Sequence, residues 1–183
     1  MTVDDRARAA VLAPGGNYGP DGPLLMFAAA AAEQRGAGAY PVGYGPGDQK
    51  DLYPRVQAAV AAAVDELGPA VAPLLVGKSL GTAAAAVAAE RGLPAVWFTP
   101  LLTEPEVVAA LRRATAPCLL IGGTADDWWD GGVARSLSPH VLEVDGADHR
   151  MFLPGPLKDS ACALGETATA VELFLDEVVW PAV

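Results

Sequence analysis

The chain has 183 residues, enough for one domain of ordinary size and too few for two separate hydrophobic cores. Hydrophobic residues make up 52% and charged residues 19%, a balance that excludes a disordered chain. A formal net charge of −10, with no Lys/Arg cluster to interrupt it, argues against nucleic acid or an anionic membrane as partner.

The chain opens Met1-Thr2-Val3-Asp4-Asp5-Arg6, with acid where a secretory leader carries basic charge, and no apolar run approaches the ~20 residues of a membrane span. A cytoplasmic protein with no membrane partner is the expectation. The first strand is expected over Ala9 to Ala13, followed by a Gly/Pro-rich loop from Gly15 to Pro23 and a helix over Leu24 to Arg35. A second strand, Ala39 to Tyr44, runs into a second such loop, Gly43 to Gly47, and a helix over Leu52 to Leu67 follows. The third strand, Val71 to Val76, precedes an Ala-rich helix from Leu80 to Arg91 that Gly92-Leu93-Pro94 stops.

After a fourth strand, Ala95 to Thr99, Thr103 reads as the N-cap of a helix over Glu104 to Ala114, with Pro105 in its first turn and Glu106 near its positive end. Strands over Cys118 to Ile121 and Val141 to Val144 flank a weaker helix, Val133 to Leu137, and a final helix covers Cys162 to Val179. Short apolar runs alternating with helices imply an α/β chain: a single three-layer α/β/α domain with six mostly parallel strands in the order 2-1-3-4-5-6. Ligands of such sheets bind outside the carboxyl ends of the strands, so function is expected on the strand-terminal loops.

Gly77-Lys78-Ser79-Leu80-Gly81 fits G-x-S-x-G and stands between a strand and a helix. A serine on so sharp a turn needs small residues two positions either side, which Gly77 and Gly81 supply, and the following helix start aims the Leu80 N–H at an oxyanion beside Ser79 Oγ. Gly77-Lys78-Ser79 also matches the end of a phosphate-binding P-loop. The first glycine of that motif would fall on Ala72, however, and Pro73-Leu74-Leu75-Val76 is a buried strand with no loop to wrap a phosphate, so that reading is rejected. Lys78 is expected to lay its stem on the surface with its charge in water, and receives no catalytic role.

A serine nucleophile needs a base and a group to orient that base. Asp126 follows the fifth strand in Gly122-Gly123-Thr124-Ala125-Asp126, with Asp127 beside it, and His149 follows the sixth in Asp145-Gly146-Ala147-Asp148-His149. The order Ser79, acid, His149 is that of a Ser-acid-His arrangement on an α/β sheet. With one strand between those ending at Val76 and Ile121, the strand ends stand ~10 Å apart, a gap that an imidazole and two side chains bridge. His140 precedes its strand, at the opposite edge, and reads as structural or solvated. Cys118 and Cys162 give neither a metal-ligand spacing nor a disulfide framework, so no metal and no cofactor are expected.

On these three anchors the chain resembles the α/β-hydrolase superfamily, in particular its small, lid-poor members related to bacterial serine esterases and dienelactone-hydrolase-like proteins. The resemblance covers nearly the whole chain, residues 1–183 forming one domain. It implies a covalent acyl-enzyme mechanism with Ser79 as nucleophile and His149 as base, and it places the acid at Asp126, with Asp127 solvated. The fold's first strand–strand hairpin is missing here, and Thr99 to Thr115 is too short for a cap domain.

The second oxyanion donor is expected from the loop after the first strand, with Gly16 and Asn17 near-equal candidates and Asn17 preferred. Tyr18, Leu101, Trp128, Trp129, Met151 and Phe152 are the candidate substrate-binding residues, with only one of the two adjacent tryptophans facing the site. Serine at the elbow favours ester hydrolysis, so the expected partner is a small-molecule ester, alongside which a homodimer is compatible. Thioesterase or amidase action shares the same machinery. The competing class is a non-catalytic ligand-binding or regulatory protein on the same fold.

Overall fold

The structure is a computed structural model that describes residues 7–46, 48 and 51–181, so Met1 to Arg6 and Gly47, read above, lie outside the described residues. Six strands, β1 (Ala7–Ala13), β2 (Gly38–Pro41), β3 (Val71–Lys78), β4 (Ala95–Phe98), β5 (Cys118–Gly123) and β6 (His140–Val144), form one sheet in the order β2-β1-β3-β4-β5-β6. Every neighbouring pair is parallel, with Ala9 opposite Pro73, Val76 opposite Val96 and Leu119 opposite His140 among the register partners. The order is the one the alternation implied.

Successive strand residues point to opposite faces, and both faces are covered. Leu12, Leu74, Val76, Phe98 and Ile121 pack beneath α1 (Pro23–Glu33) and α6 (Leu157–Phe174), meeting Leu25, Val171 and Phe174. Val11, Leu75, Trp97 and Leu120 turn to α2 (Leu52–Leu67), α3 (Ala85–Arg91), α4 (Pro105–Arg113) and α5 (Gly131–Leu137), where Val56, Val60, Val87, Leu111 and Ala134 complete a second core. Each such Leu, Ile or Val withdrawn from water contributes roughly 1.5–3 kcal/mol, which is why the strands read as unbroken apolar runs.

Several boundaries differ from the sequence reading for local reasons. β2 ends at Pro41 rather than Tyr44: Val42 N still donates to the Leu12 carbonyl at 2.9 Å, and beyond it the Tyr44 hydroxyl donates to the Pro14 carbonyl at 2.7 Å. The segment after β3 starts as a 3₁₀ helix, Ser79–Ala84, before it relaxes into α3. Gly92 then takes the left-handed conformation, φ 61°, that ends α3. Thr103 is not the cap of α4: Glu104 occupies that position without a side-chain cap hydrogen bond, and the helix starts at Pro105. α6 starts at Leu157, one turn earlier than expected, and ends in a π turn, Leu175–Val179. His140 opens β6 at the amino edge and sets its ring edge-on to Phe174, 5.2 Å between centroids.

The chain leaves β1 toward one side of the sheet and, after β2, continues through β3 toward the other. The loops after β1 and β3 therefore part company and open a crevice at the carboxyl edge. Among the described residues, the non-glycine residues with positive φ, Ser79 (53°), Thr99 (41°) and Met151 (63°), all follow strands at that edge. Each such conformation costs on the order of 1–3 kcal/mol and persists only where the surrounding structure holds it. No helix among the described residues is long and apolar enough to cross a membrane.

Candidate active site

Ser79 owes its position to close packing of backbone on backbone. A Cβ added to Gly81 would stand 2.0 Å from the Ala13 carbonyl oxygen, and one added to Gly77 would stand 2.5 Å from the Trp97 ring. Only glycine lets the turn press this closely on β1 and β4, and the pressure holds Ser79 at φ 53°. Thr82 Oγ1 donates to the Ser79 carbonyl at 2.6 Å and fixes the turn from within.

The loops after β5 and β6 are tied to each other before they reach the serine. Thr124 N donates to the Val144 carbonyl at 3.1 Å and Ala125 N to the Ala147 carbonyl at 3.0 Å. The Thr124 hydroxyl joins Asp145 Oδ1 at 2.9 Å and accepts from Gly146 N at 2.7 Å. Gly123 permits the approach, since a Cβ there would lie 2.1 Å from the Ala147 oxygen. Asp148 then folds its own loop, its Oδ1 accepting from Arg150 N at 2.8 Å and Phe152 N at 2.9 Å. Sequence reading assigned no such role to Thr124, Asp145 or Asp148; the signal was there in polar side chains packed into two short strand-end loops.

These ties bring Ser79, His149 and Asp126 into one hydrogen-bonded chain. His149 Nε2 lies 2.8 Å from Ser79 Oγ, and His149 Nδ1 lies 2.8 Å from Asp126 Oδ2. The other Asp126 oxygen accepts from Trp128 N at 2.9 Å. The Asp126 side chain is fully buried and that of His149 30% exposed. With Asp126 ionised, Nδ1 carries the imidazole proton and donates it to Oδ2, leaving Nε2 to accept from the Ser79 hydroxyl. Asp127 is exposed and stays out of this chain.

Leu80 sits in the first turn of the 3₁₀ helix, where N–H groups have no carbonyl one turn before them to satisfy. Across the crevice, Gly15 and Tyr18 pair in a tight turn, Gly15 N to the Tyr18 carbonyl at 3.0 Å, with exposed Gly16 and Asn17 between them. Gly16 faces the elbow, since a Cβ on it would approach Leu80 Cδ2 to 3.9 Å. Neither the Gly16 nor the Asn17 N–H donates to a described protein acceptor.

The expected pocket wall divides. Tyr18, Met151 and Phe152, with Leu24, Arg150, Leu157 and Leu164, line an almost wholly apolar cavity of about 240 Å³ between the starts of α1 and α6. Trp128 is exposed beside Asp126, with its carbonyl accepting from Leu102 N. Trp129 turns from the site: it lies across Gly122 and donates its Nε1 to Glu143 at 2.7 Å. Leu101 is buried in the second core, in the cluster that also holds Leu80.

The expectation for Lys78 fails as well. It is 3% exposed, with its ammonium 5.1 Å from the centroid of the Tyr18 ring. Its pKa is lowered to about 8, because burial penalises the charge and Arg150 repels it, while Asp126 and Asp148 oppose the shift. The pattern G-x-S-x-G leaves the second residue open, so nothing in the motif revealed which way that residue turns. Among the described residues, no group of His, Cys, Asp and Glu side chains is placed to hold a metal ion.

No family model and no curated protein sequence matches the chain. Solved structures do. The chain is similar to an alpha-beta serine hydrolase homologue from Coxiella burnetii, with 17% identity over 92% of this chain and 85% of that one and a TM-score of 0.70. It is similar to Est1E from Butyrivibrio proteoclasticus at 13% identity, 94% and 88% coverage and a TM-score of 0.75. A third relative, XC6422 from Xanthomonas campestris, described as a serine hydrolase without lid, matches at 17% identity, 96% and 84% coverage and a TM-score of 0.71. The architecture of this chain is therefore the α/β-hydrolase fold in a form with no cap domain.

Proposed function

We propose that the protein is a serine hydrolase that cleaves small to medium carboxylic esters through an acyl-enzyme intermediate. The observation that carries this reading is the unbroken chain from Ser79 Oγ through His149 to buried Asp126, with 2.8 Å at each link. A group relay of this kind has its use where a hydroxyl must lose a proton as it attacks.

Ser79 Oγ attacks the ester carbonyl as its proton passes to His149 Nε2. The resulting imidazolium is stabilised by the Asp126 carboxylate, and the oxyanion by the N–H groups of Leu80 and of Asn17 or Gly16. Collapse of the tetrahedral intermediate breaks the bond to the alcohol oxygen, which takes the proton from His149 and leaves. Water then gives a proton to the freed Nε2, attacks the acyl group and releases the acid with Ser79 restored. The base works only as the neutral imidazole. The apolar cavity beside Tyr18 and Met151 suits the hydrocarbon part of the ester.

Hydrolysis of p-nitrophenyl esters of graded chain length tests the proposal. Wild type is expected to release p-nitrophenol with an initial burst stoichiometric with enzyme or with steady turnover, and Ser79→Ala to release none above background. A protein that binds such esters but forms no acid would overturn it.

A further inference from the structure

We infer that Lys78, together with Arg150, anchors an anionic group of the substrate, so that the site selects esters carrying a carboxylate. The inference rests on the hydrolase reading and adds a substrate class to it.

Burying an ammonium is costly unless it is paired and hydrogen-bonded. Among the described residues Lys78 donates no hydrogen bond and forms no ion pair; its neighbours are the Tyr18 ring and the charges of Asp126, Asp148 and Arg150. Neither carboxylate is hydrogen-bonded to it: both Asp126 oxygens are engaged, by Trp128 N and His149, and Asp148 Oδ1 holds the N–H groups of Arg150 and Phe152. Arg150 likewise forms no ion pair among the described residues, in a chain with 22 acidic residues against 12 basic ones. Two cations that repel each other, chain neighbours of Ser79 and His149, thus have no ion-pair partner among the described residues.

Lys78 is 3% exposed, and its surroundings lie at one edge of the sheet. The groups around it come from the loop after β1 (Tyr18), the loop after β5 (Asp126) and the loop after β6 (Asp148, His149 and Arg150), all at the carboxyl edge. Tyr18 and Arg150 are at the same time walls of the apolar cavity. An ester with a hydrocarbon body and a terminal carboxylate matches both features: the body fills the cavity, and the carboxylate supplies the charge that Lys78 and Arg150 lack.

The test compares kcat/KM for p-nitrophenyl hemisuccinate and p-nitrophenyl butyrate, acyl groups of equal carbon number that differ in the terminal charge. Wild type is expected to favour the hemisuccinate by at least about tenfold, the ratio conferred by one modest charge-assisted contact. Lys78→Met and the exposed Arg150→Ala are each expected to collapse that ratio, and Lys78→Arg to retain it. In wild type the ratio falls as pH rises past about 8, where the ammonium loses its proton, and in Lys78→Arg it does not. A wild-type ratio of one or less overturns the inference, as does a Lys78→Met variant that loses both substrates in equal proportion, which would make Lys78 a purely structural residue. Labelling of Ser79 by an uncharged phosphonate separates the two readings. A labelled serine with no preference sinks the anion anchor alone, whereas an unreactive serine with no turnover sinks the hydrolase and its anchor together.

Discussion

His149 Nε2 stands 2.8 Å from Ser79 Oγ although 70 residues separate them in the chain. Nothing local draws the two together. Ser79 is placed by the pressure of Gly77 and Gly81 on β4 and β1, and His149 by a loop that Asp148 folds and Thr124 ties to the loop of Asp126.

If Asp126 holds the imidazole tautomer, its exchange for Asn reverses the hydrogen bond to Nδ1 and leaves Nε2 protonated, unable to act as base. Asp126→Asn is expected to lower kcat by roughly 10³–10⁴-fold, while Asp127→Asn, at an exposed position outside the chain, stays within about twofold, within the range of neutral surface changes. Steady-state ester hydrolysis by the two variants side by side checks this.

The glycines at the elbow and between the two loops have no room for a methyl group. Gly81→Ala would press a Cβ to 2.0 Å from the Ala13 oxygen, and Gly123→Ala to 2.1 Å from the Ala147 oxygen, so backbone must move in both. Each is expected to cost about 1–3 kcal/mol of stability or more, seen as a lower denaturation midpoint, and to reduce Ser79 labelling by more than stability alone accounts for. Gly165→Ala, where nothing lies within 4 Å, serves as control and is expected to hold or raise the midpoint, as alanine favours the helix.

Lys78 gives the folded protein a pH dependence of known sign. Its pKa falls from 10.5 to about 8 on burial, so between those values the folded state binds fewer protons than the unfolded chain. The destabilisation it brings is therefore fully present below about pH 8 and is relieved as pH rises toward 10.5. Denaturant titrations at pH 7, 8, 9 and 10 should show the stability of wild type relative to Lys78→Met increasing with pH, by at most about 1.4 kcal/mol per unit. A difference that stays flat or declines contradicts the buried, charged state of this lysine.

Much of this architecture is legible in the sequence because a parallel sheet covered on both faces leaves a simple trace. The apolar runs at Val71, Ala95 and Cys118 each begin where β3, β4 and β5 begin, and the order of strands follows from their alternation with helices. Ser79, Asp126 and His149 stand out because each directly follows a strand, so the period of the chain predicts their common edge. Side-chain direction within a loop leaves no such trace. Trp128 and Trp129 are chemically alike and adjacent, and only the close contact of Trp129 with Gly122 and its bond to Glu143 decide which leaves the site. Lys78 departs from expectation for a similar reason: a lysine at a strand end normally reaches water along its stem, and the Tyr18 ring that lies against it comes from 60 positions earlier in the chain.

The oxyanion donors can be separated from the rest of the machinery by their effect on rate rather than on reactivity of the fold. Replacing Asn17 by Pro removes one N–H and leaves the Gly16 N–H in place. If the Asn17 N–H is the second donor, kcat falls by about 10²–10³-fold with KM little changed. A fall of less than threefold assigns the role to Gly16.

The most direct measurement of the central claim is the reaction of intact protein with a fluorophosphonate probe, read by mass spectrometry on wild type, Ser79→Ala and His149→Ala. The account predicts one adduct on wild type, mapped to Ser79, and none on either variant, because an ordinary serine hydroxyl is inert toward the probe and His149 is what activates it. Wild-type protein that is folded yet unlabelled, or an adduct that persists in Ser79→Ala, would contradict it.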